Sequence, residues 1–151
     1  MKEEKNPAVL VSACLLGVSC RYDGSDNGVP AIMELGKRCR LIPVCPEQMG
    51  GLMTPRLPAE RREGGVYTKD GADVTEPFQK GAEETLKLAQ LFGCKCAVLK
   101  ARSPSCGSGM IYDGTFSGRK IEGDGVTAAL LKENGIRVYT ENEAEQAFEI
   151  D

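Results

Sequence analysis

Four short runs rich in β-branched and other apolar residues, Val9 to Ala13, Arg40 to Val44, Cys96 to Lys100 and Ile136 to Tyr139, recur along the chain with helix-like segments between them. Strands that alternate with helices predict an α/β fold with a small, mostly parallel sheet, because parallel neighbours need a long crossover that a helix usually supplies. Three of the four runs are followed at or shortly after their ends by a cysteine: Cys14, Cys45 and Cys106. Loops leaving the C-terminal ends of parallel strands share one edge of the sheet, where open α/β sheets build their sites. Three thiols are thereby delivered toward one place.

The helix signals lie between these runs. Val29 to Arg38 is a short candidate with Pro30 near its first turn, where a missing amide donor is tolerated. From Glu76 to Phe92 the positions Phe78, Ala82, Leu86, Ala89 and Leu91 follow helical spacing, Pro77 sits in the opening turn and Gly93 follows the end. Gly123 to Asn134 reads as a third helix, and Glu141 to Phe148 as a last amphipathic one with acidic residues in its first turn. Pro46 to Gly65 is dense in Pro, Gly and Arg. It is read as an irregular segment too long to be an idle connection. Two Asp-Gly turns predict small hairpins: Lys69-Asp70-Gly71 between Val66–Thr68 and Ala72–Thr75, and Asp113-Gly114 between Met110–Tyr112 and Thr115–Phe116.

A length of 151 residues with 41% hydrophobic content supports one core, so residues 1–151 are read as a single domain. With 19 Lys plus Arg against 22 Asp plus Glu, the net charge of −3 gives no general reason to expect a nucleic-acid surface, and small-molecule chemistry fits better. The charged start, Met1-Lys-Glu-Glu-Lys-Asn-Pro7, has no apolar signal region, and no apolar stretch approaches the roughly 20 residues of a membrane helix. A cytoplasmic protein without membrane partners is expected.

Seven cysteines in a reducing compartment argue for metal binding or reactive thiols over a disulfide framework. The chain has no histidine, which removes zinc catalysis through His ligands and Cys-His nucleophilic catalysis. Three thiolates without a matching fourth suit an iron-sulfur cluster with one open iron better than a closed tetrahedral zinc site. A helix N-terminus after each strand is expected to lower the thiol pKa. Glu47 stands two residues past Cys45 and could serve as general acid or base, or simply complement a helix dipole. Ser103 and Ser105 flank Pro104 just before Cys106, and a turn or cap hydrogen bond is their plainer role. Cys20 shares the loop of Cys14 and is an outside fourth ligand. Cys94 and Cys96, two apart at a strand start, are expected to pack on one face, and Cys39 falls between a helix and a strand.

Val11-Ser-Ala-Cys14-Leu-Leu-Gly17 with Cys20-Arg-Tyr-Asp-Gly24, then Pro43-Val-Cys45-Pro-Glu47 with Gly50-Gly51 and Thr54-Pro-Arg56, then Lys100-Ala-Arg-Ser103-Pro-Ser-Cys106-Gly107, together resemble the thiouracil desulfidase (TudS) family over about Val9 to Tyr139. The resemblance implies a compact, Rossmann-like, three-layer α/β domain with short hairpin insertions. It implies a 4Fe-4S cluster held by Cys14, Cys45 and Cys106 with the fourth iron open, and a thiolated nucleobase or nucleoside such as 2-thiouracil as substrate. By motif position Glu47 would transfer protons, Ser103 would bind substrate or help move the proton, and Ser105 would be a second substrate contact. Arg21, Tyr22 and Asp23 are expected to line the pocket. Two other readings stand beside it: a non-catalytic iron-sulfur or zinc module that senses redox state or carries sulfide, and a plain fold in which all seven cysteines are core residues.

Overall fold

The computed structural model describes residues 7–144. Its elements run β1 (Ala8–Ser12), α1 (Pro30–Glu34), β2 (Arg40–Val44), α2 (Pro46–Met49), β3 (Ala59–Arg62), β4 (Gly65–Thr68), α3 (Thr75–Leu91), β5 (Cys96–Leu99), β6 (Met110–Tyr112), β7 (Lys120–Glu122), α4 (Val126–Glu133) and β8 (Arg137–Thr140). Four of the strands form one parallel sheet in the order β2-β1-β5-β8, and the other four form two antiparallel pairs. The chain leaves β1 toward β2 on one side and later crosses back to β5 on the other. That reversal puts the topological switch, where such sheets bind ligands, at the C-terminal ends of β1 and β5.

Period-two alternation divides β1 between two cores. Val9 and Val11 pack with Ile32 and Leu35 from the α1 side, whereas Ala8 and Leu10 pack with Ala89 of α3 and with Ala128 and Leu131 of α4. Helices on both faces of a parallel sheet give the three layers expected. Burial on both faces also explains why β5 and all of β1 before its terminal Ser12 are apolar rather than alternating. Among the described residues no helix is long and apolar enough to cross a membrane.

Several sequence expectations are corrected. The segment 46–65 is not irregular throughout, since it holds α2 and β3. The hairpin there is β3–β4, closed by Glu63-Gly64, both with positive φ (50° and 84°), as a two-residue primed turn requires. The return arm after Lys69-Asp70-Gly71 forms only a single bridge, Tyr67 to Asp73. Likewise β6 pairs with β7 rather than with Thr115–Phe116. The first helix stops at Glu34 and tightens into a 3-10 turn, Leu35–Lys37, around Gly36. Leu91, placed on the buried face of α3, is 76% exposed at its end. After β8 a 3-10 turn, Glu141–Glu143, opens with a Thr140 capping box; the rest of the helix expected to Phe148 lies outside the described residues.

One contact fixes α2 against α3. A Cβ added at Gly81 would lie 1.9 Å from the Pro46 carbonyl oxygen, and one at Gly50 would lie 1.9 Å from the Pro77 oxygen. Both obstacles are backbone atoms, so no side-chain rotation relieves them. Gly81→Ala must push the two helices apart, and overpacking of this kind costs about 1–3 kcal/mol. The expected result is a melting temperature lower by roughly 3–10 °C, measured by calorimetry. An unchanged midpoint would contradict the close approach.

Candidate active site

Cys14 sits in a 3-10 turn, Ala13–Leu16, directly after β1. Its carbonyl accepts from the Asn27 amide (2.9 Å), and the Asn27 side-chain Nδ2 approaches its Sγ at 3.9 Å. Cys45 follows β2 and caps α2, with its Sγ 3.8 Å from the Cys20 carbonyl oxygen. Cys106 lies in the long loop after β5. That loop docks on the start of α4, where the amides of Val126, Thr127 and Ala128 donate to the carbonyls of Pro104 and Ser105. These bonds satisfy the open N–H groups of the first helical turn without a capping side chain. Gly125 makes the docking possible, since a Cβ there would lie 2.4 Å from the Ser105 carbonyl.

The three thiols line one cavity of about 620 Å³, within the range of small-molecule sites. They arrive from three neighbouring strand ends, as the spacing predicts. Glu47, Ser103 and Tyr22 share the same wall, and so do Cys20 and Arg21. Ser103 Oγ accepts from the amides of Ser105 (3.1 Å) and Cys106 (3.0 Å), so it shapes the Cys106 turn while its own O–H stays able to donate. Two expected residues lie elsewhere. Ser105 is fully buried, shares a 2.7 Å hydrogen bond with Thr127 Oγ1, and does not line the cavity. Asp23 is exposed, accepts from Ser25 within its own turn, and does not line the cavity either.

The helix-end lowering expected for the thiols is overridden at Cys14 and Cys106. Burial pushes the Cys106 thiol up to about 12, and the nearby negative groups of Glu47, Cys14 and Cys45 act in the same direction against a Ser12 hydrogen bond. Burial also raises Cys14, partly offset by Asn27 and by the charges of Lys100 and Arg21. For Cys14 and Cys106 desolvation exceeds any benefit of a helix terminus, because both side chains are buried. Thiolates at these positions therefore need a bound cationic group to neutralise them.

Among the described residues no three Cys, Asp or Glu side chains stand close enough to chelate one metal ion. The donor set around the cavity, the thiols of Cys14, Cys45 and Cys106 with Cys20 beside Cys45 and no histidine, is instead that of a thiolate-ligated iron-sulfur core, whose ligands are spread wider than those of one ion. The wall is cationic although the chain is acidic overall: Arg21, Arg56, Lys69, Lys100 and Arg102 face Glu47 and Glu60. That charge suits thiolates and other anions. Of the remaining cysteines, Cys94 and Cys96 do not share a face. Cys96 packs with Cys39 and Val98, and Cys94 with Ala89 and Ala97 on the other side, because the strand begins only at Cys96.

Residues missed by sequence reasoning complete the wall. Asn27 reaches Cys14 from thirteen positions away. Glu60 Oε1 accepts from the amides of Gly114 (2.9 Å) and Phe116 (3.1 Å), holding the β6–β7 loop over the cavity. Arg102 lies at φ 67°, a conformation rare outside glycine, and bridges to Ile111. Arg56 binds Glu47 Oε1 through Nε at 2.8 Å. Two of them had a signal in the sequence: Arg56 ends Thr54-Pro-Arg56, and Arg102 stands within Lys100-Ala-Arg-Ser103.

Comparison with known proteins places the whole chain. The chain is 48% identical over 145 residues to an uncharacterized protein, YbbK, of Bacillus subtilis (strain 168), which covers 89% of this chain and 96% of that protein. It is similar to the solved structure of a 4Fe-4S-dependent thiouracil desulfidase, TudS, at 46% identity and a TM-score of 0.88, covering 93% of this chain and 95% of that one. A family model described as 2-thiouracil desulfurase matches residues 9–143, and with three thiols around one cavity the chain belongs to that family.

Proposed function

We propose that this protein is a desulfidase that removes sulfur from thiolated pyrimidine bases or nucleosides such as 2-thiouracil. Water replaces the sulfur on the ring carbon: the C=S bond is exchanged for C=O, and the sulfur leaves as hydrosulfide with the second proton of the water released. No net electrons are transferred. Cys14, Cys45 and Cys106 would hold a 4Fe-4S cluster with one iron free of protein ligands. When bound, that cluster would supply a Lewis-acidic iron with affinity for sulfur.

The chain's own residues account for the rest. The cavity has room for a pyrimidine, with Tyr22 available to cover an apolar ring face. Glu47 carries the proton at a carboxylate oxygen, taking it from the attacking water and returning it to the ring or the departing sulfur. Ser103 donates its O–H toward the ring substituent while its lone pairs keep the Cys106 turn in place. Cations at the wall offset the negative charge of the product.

The carrying observation is that three thiols from separate strand ends line the cavity that also holds Glu47. Anaerobic reconstitution with iron and sulfide, followed by incubation with 2-thiouracil and related thiones, is expected to yield equal amounts of hydrosulfide and oxygenated base. Fully loaded protein that turns over no thione rejects the proposal.

A further inference from the structure

Arg56 occupies a position that no catalytic assignment above explains. Its side chain is 10% exposed, and its donors are spent at the cavity wall. Nε donates to Glu47 Oε1 (2.8 Å), Nη2 to the Cys20 carbonyl (2.9 Å), and Nη1 to the Met53 carbonyl (3.1 Å) and Thr54 Oγ1 (2.8 Å). Its own amide donates to the Tyr22 carbonyl at 2.7 Å. One planar guanidinium thus joins α2, the 53–56 loop and the Cys20–Tyr22 segment. A rigid fork of this kind restricts its partners in direction, which the flexible point charge of a lysine does not.

We infer that Arg56 is a positioning residue: by holding Glu47 Oε1 and the Cys20–Tyr22 backbone together, it fixes the direction in which the other carboxylate oxygen, Oε2, is offered to the substrate. The inference rests on the desulfidase reading for its catalytic part. Arg56 does not touch the reacting atoms; it acts through Glu47. A carboxylate free to rotate spends little of its time in a productive geometry, and small misplacements of catalytic groups cost on the order of a hundredfold in rate.

The test is a double-mutant cycle on the anaerobically loaded protein with 2-thiouracil, or another thione that the wild type turns over. Arg56→Gln is expected to lower kcat about a hundredfold with KM within about twofold and iron content at the wild-type level. Arg56→Lys, with charge but no fork, is expected to recover less than about a tenth of the loss in fold terms. In the Glu47→Gln background, Arg56→Gln is expected to lower kcat by less than about twofold more, because the group it orients is gone. A second cycle in urea unfolding of the cluster-free chain, which needs no substrate, is expected to show the same two residues coupled. Fold-losses that multiply, a loss confined to KM, or a parallel loss of iron each overturn the positioning role. Wild-type protein that is fully loaded and releases no hydrosulfide overturns the desulfidase reading and the catalytic part with it, while the unfolding cycle then reports whether the pair exists at all.

Discussion

Cys106→Ala is expected to give a folded chain that retains no iron and releases no hydrosulfide from any thione, whereas Cys96→Ala keeps both. The two side chains are nearly equal in burial, 5% and 4% exposed, so packing alone predicts similar results for both. Each loses one buried sulfur, a truncation worth about 1 kcal/mol or somewhat more, against a typical stability of roughly 5–15 kcal/mol. Their places in the fold differ. Cys106 stands on the cavity wall with Cys14 and Cys45, and Cys96 sits at the start of β5 against Cys39 and Val98. With Cys106 gone, the one further thiol on the wall is Cys20, which lies beside Cys45 and not in the Cys106 loop, so the cluster loses a ligand that is not replaced, and Cys14→Ala and Cys45→Ala are expected to behave the same way. Iron and acid-labile sulfide counts, circular dichroism and hydrosulfide release on the four variants check this. Equal iron loss in Cys96→Ala would reduce the cysteines to a general stability effect, and iron retained in Cys106→Ala would remove it from the ligand set.

The parts of this molecule that were legible in the sequence are those with a repeated or long signal. The central strands β1 and β5 announce themselves as apolar runs because burial on both faces leaves no polar alternation, the edge strands β2 and β8 are shorter apolar runs opened by an exposed Arg, and α3 carries its buried face at Phe78, Ala82 and Ala89 over seventeen residues. The convergence of Cys14, Cys45 and Cys106 followed from that reading, since the C-terminal ends of adjacent parallel strands must share an edge. Short elements were lost. Helix α2 has four residues, and β3 turns into β4 through Glu63-Gly64, a pair with no hairpin signature of its own. Direction within a turn was also hidden. Ser103 and Ser105 stand two apart, yet one lines the cavity and the other bonds to Thr127, an outcome decided by docking of the loop on α4. Asn27, in the loop after Cys14, and Glu60, in β3, became visible only when those segments folded over the cavity. The thiol electrostatics were misjudged for a related reason: proximity to a helix terminus can be read from sequence, but enclosure of Cys106 cannot.

Glu47→Gln tests the proton step separately from the metal site. The substitution keeps the length of the side chain and an oxygen that can accept from Arg56 Nε, so the local geometry is retained while the carboxylate is lost. Removal of a positioned general acid or base typically costs about 10²- to 10⁴-fold, and kcat for thione hydrolysis is expected to fall by that factor. Iron content is expected to stay at the wild-type level, because Glu47 is two residues past Cys45 and supplies no thiolate. The guanidinium of Arg56, only 10% exposed, loses its anionic partner but keeps the Cys20, Met53 and Thr54 acceptors, so a measurable fall in melting temperature accompanies the change without loss of the fold. These three readouts separate the alternatives. A non-catalytic cluster or sulfide carrier predicts no change in its redox or sulfide behaviour on Glu47→Gln, and a structural glutamate predicts losses of iron and thermal stability that track the loss of rate. Only a proton-transferring Glu47 gives a loaded, stable protein that binds the thione and fails to convert it, and a variant retaining more than about a tenth of wild-type kcat would assign the proton to another group on the cavity wall.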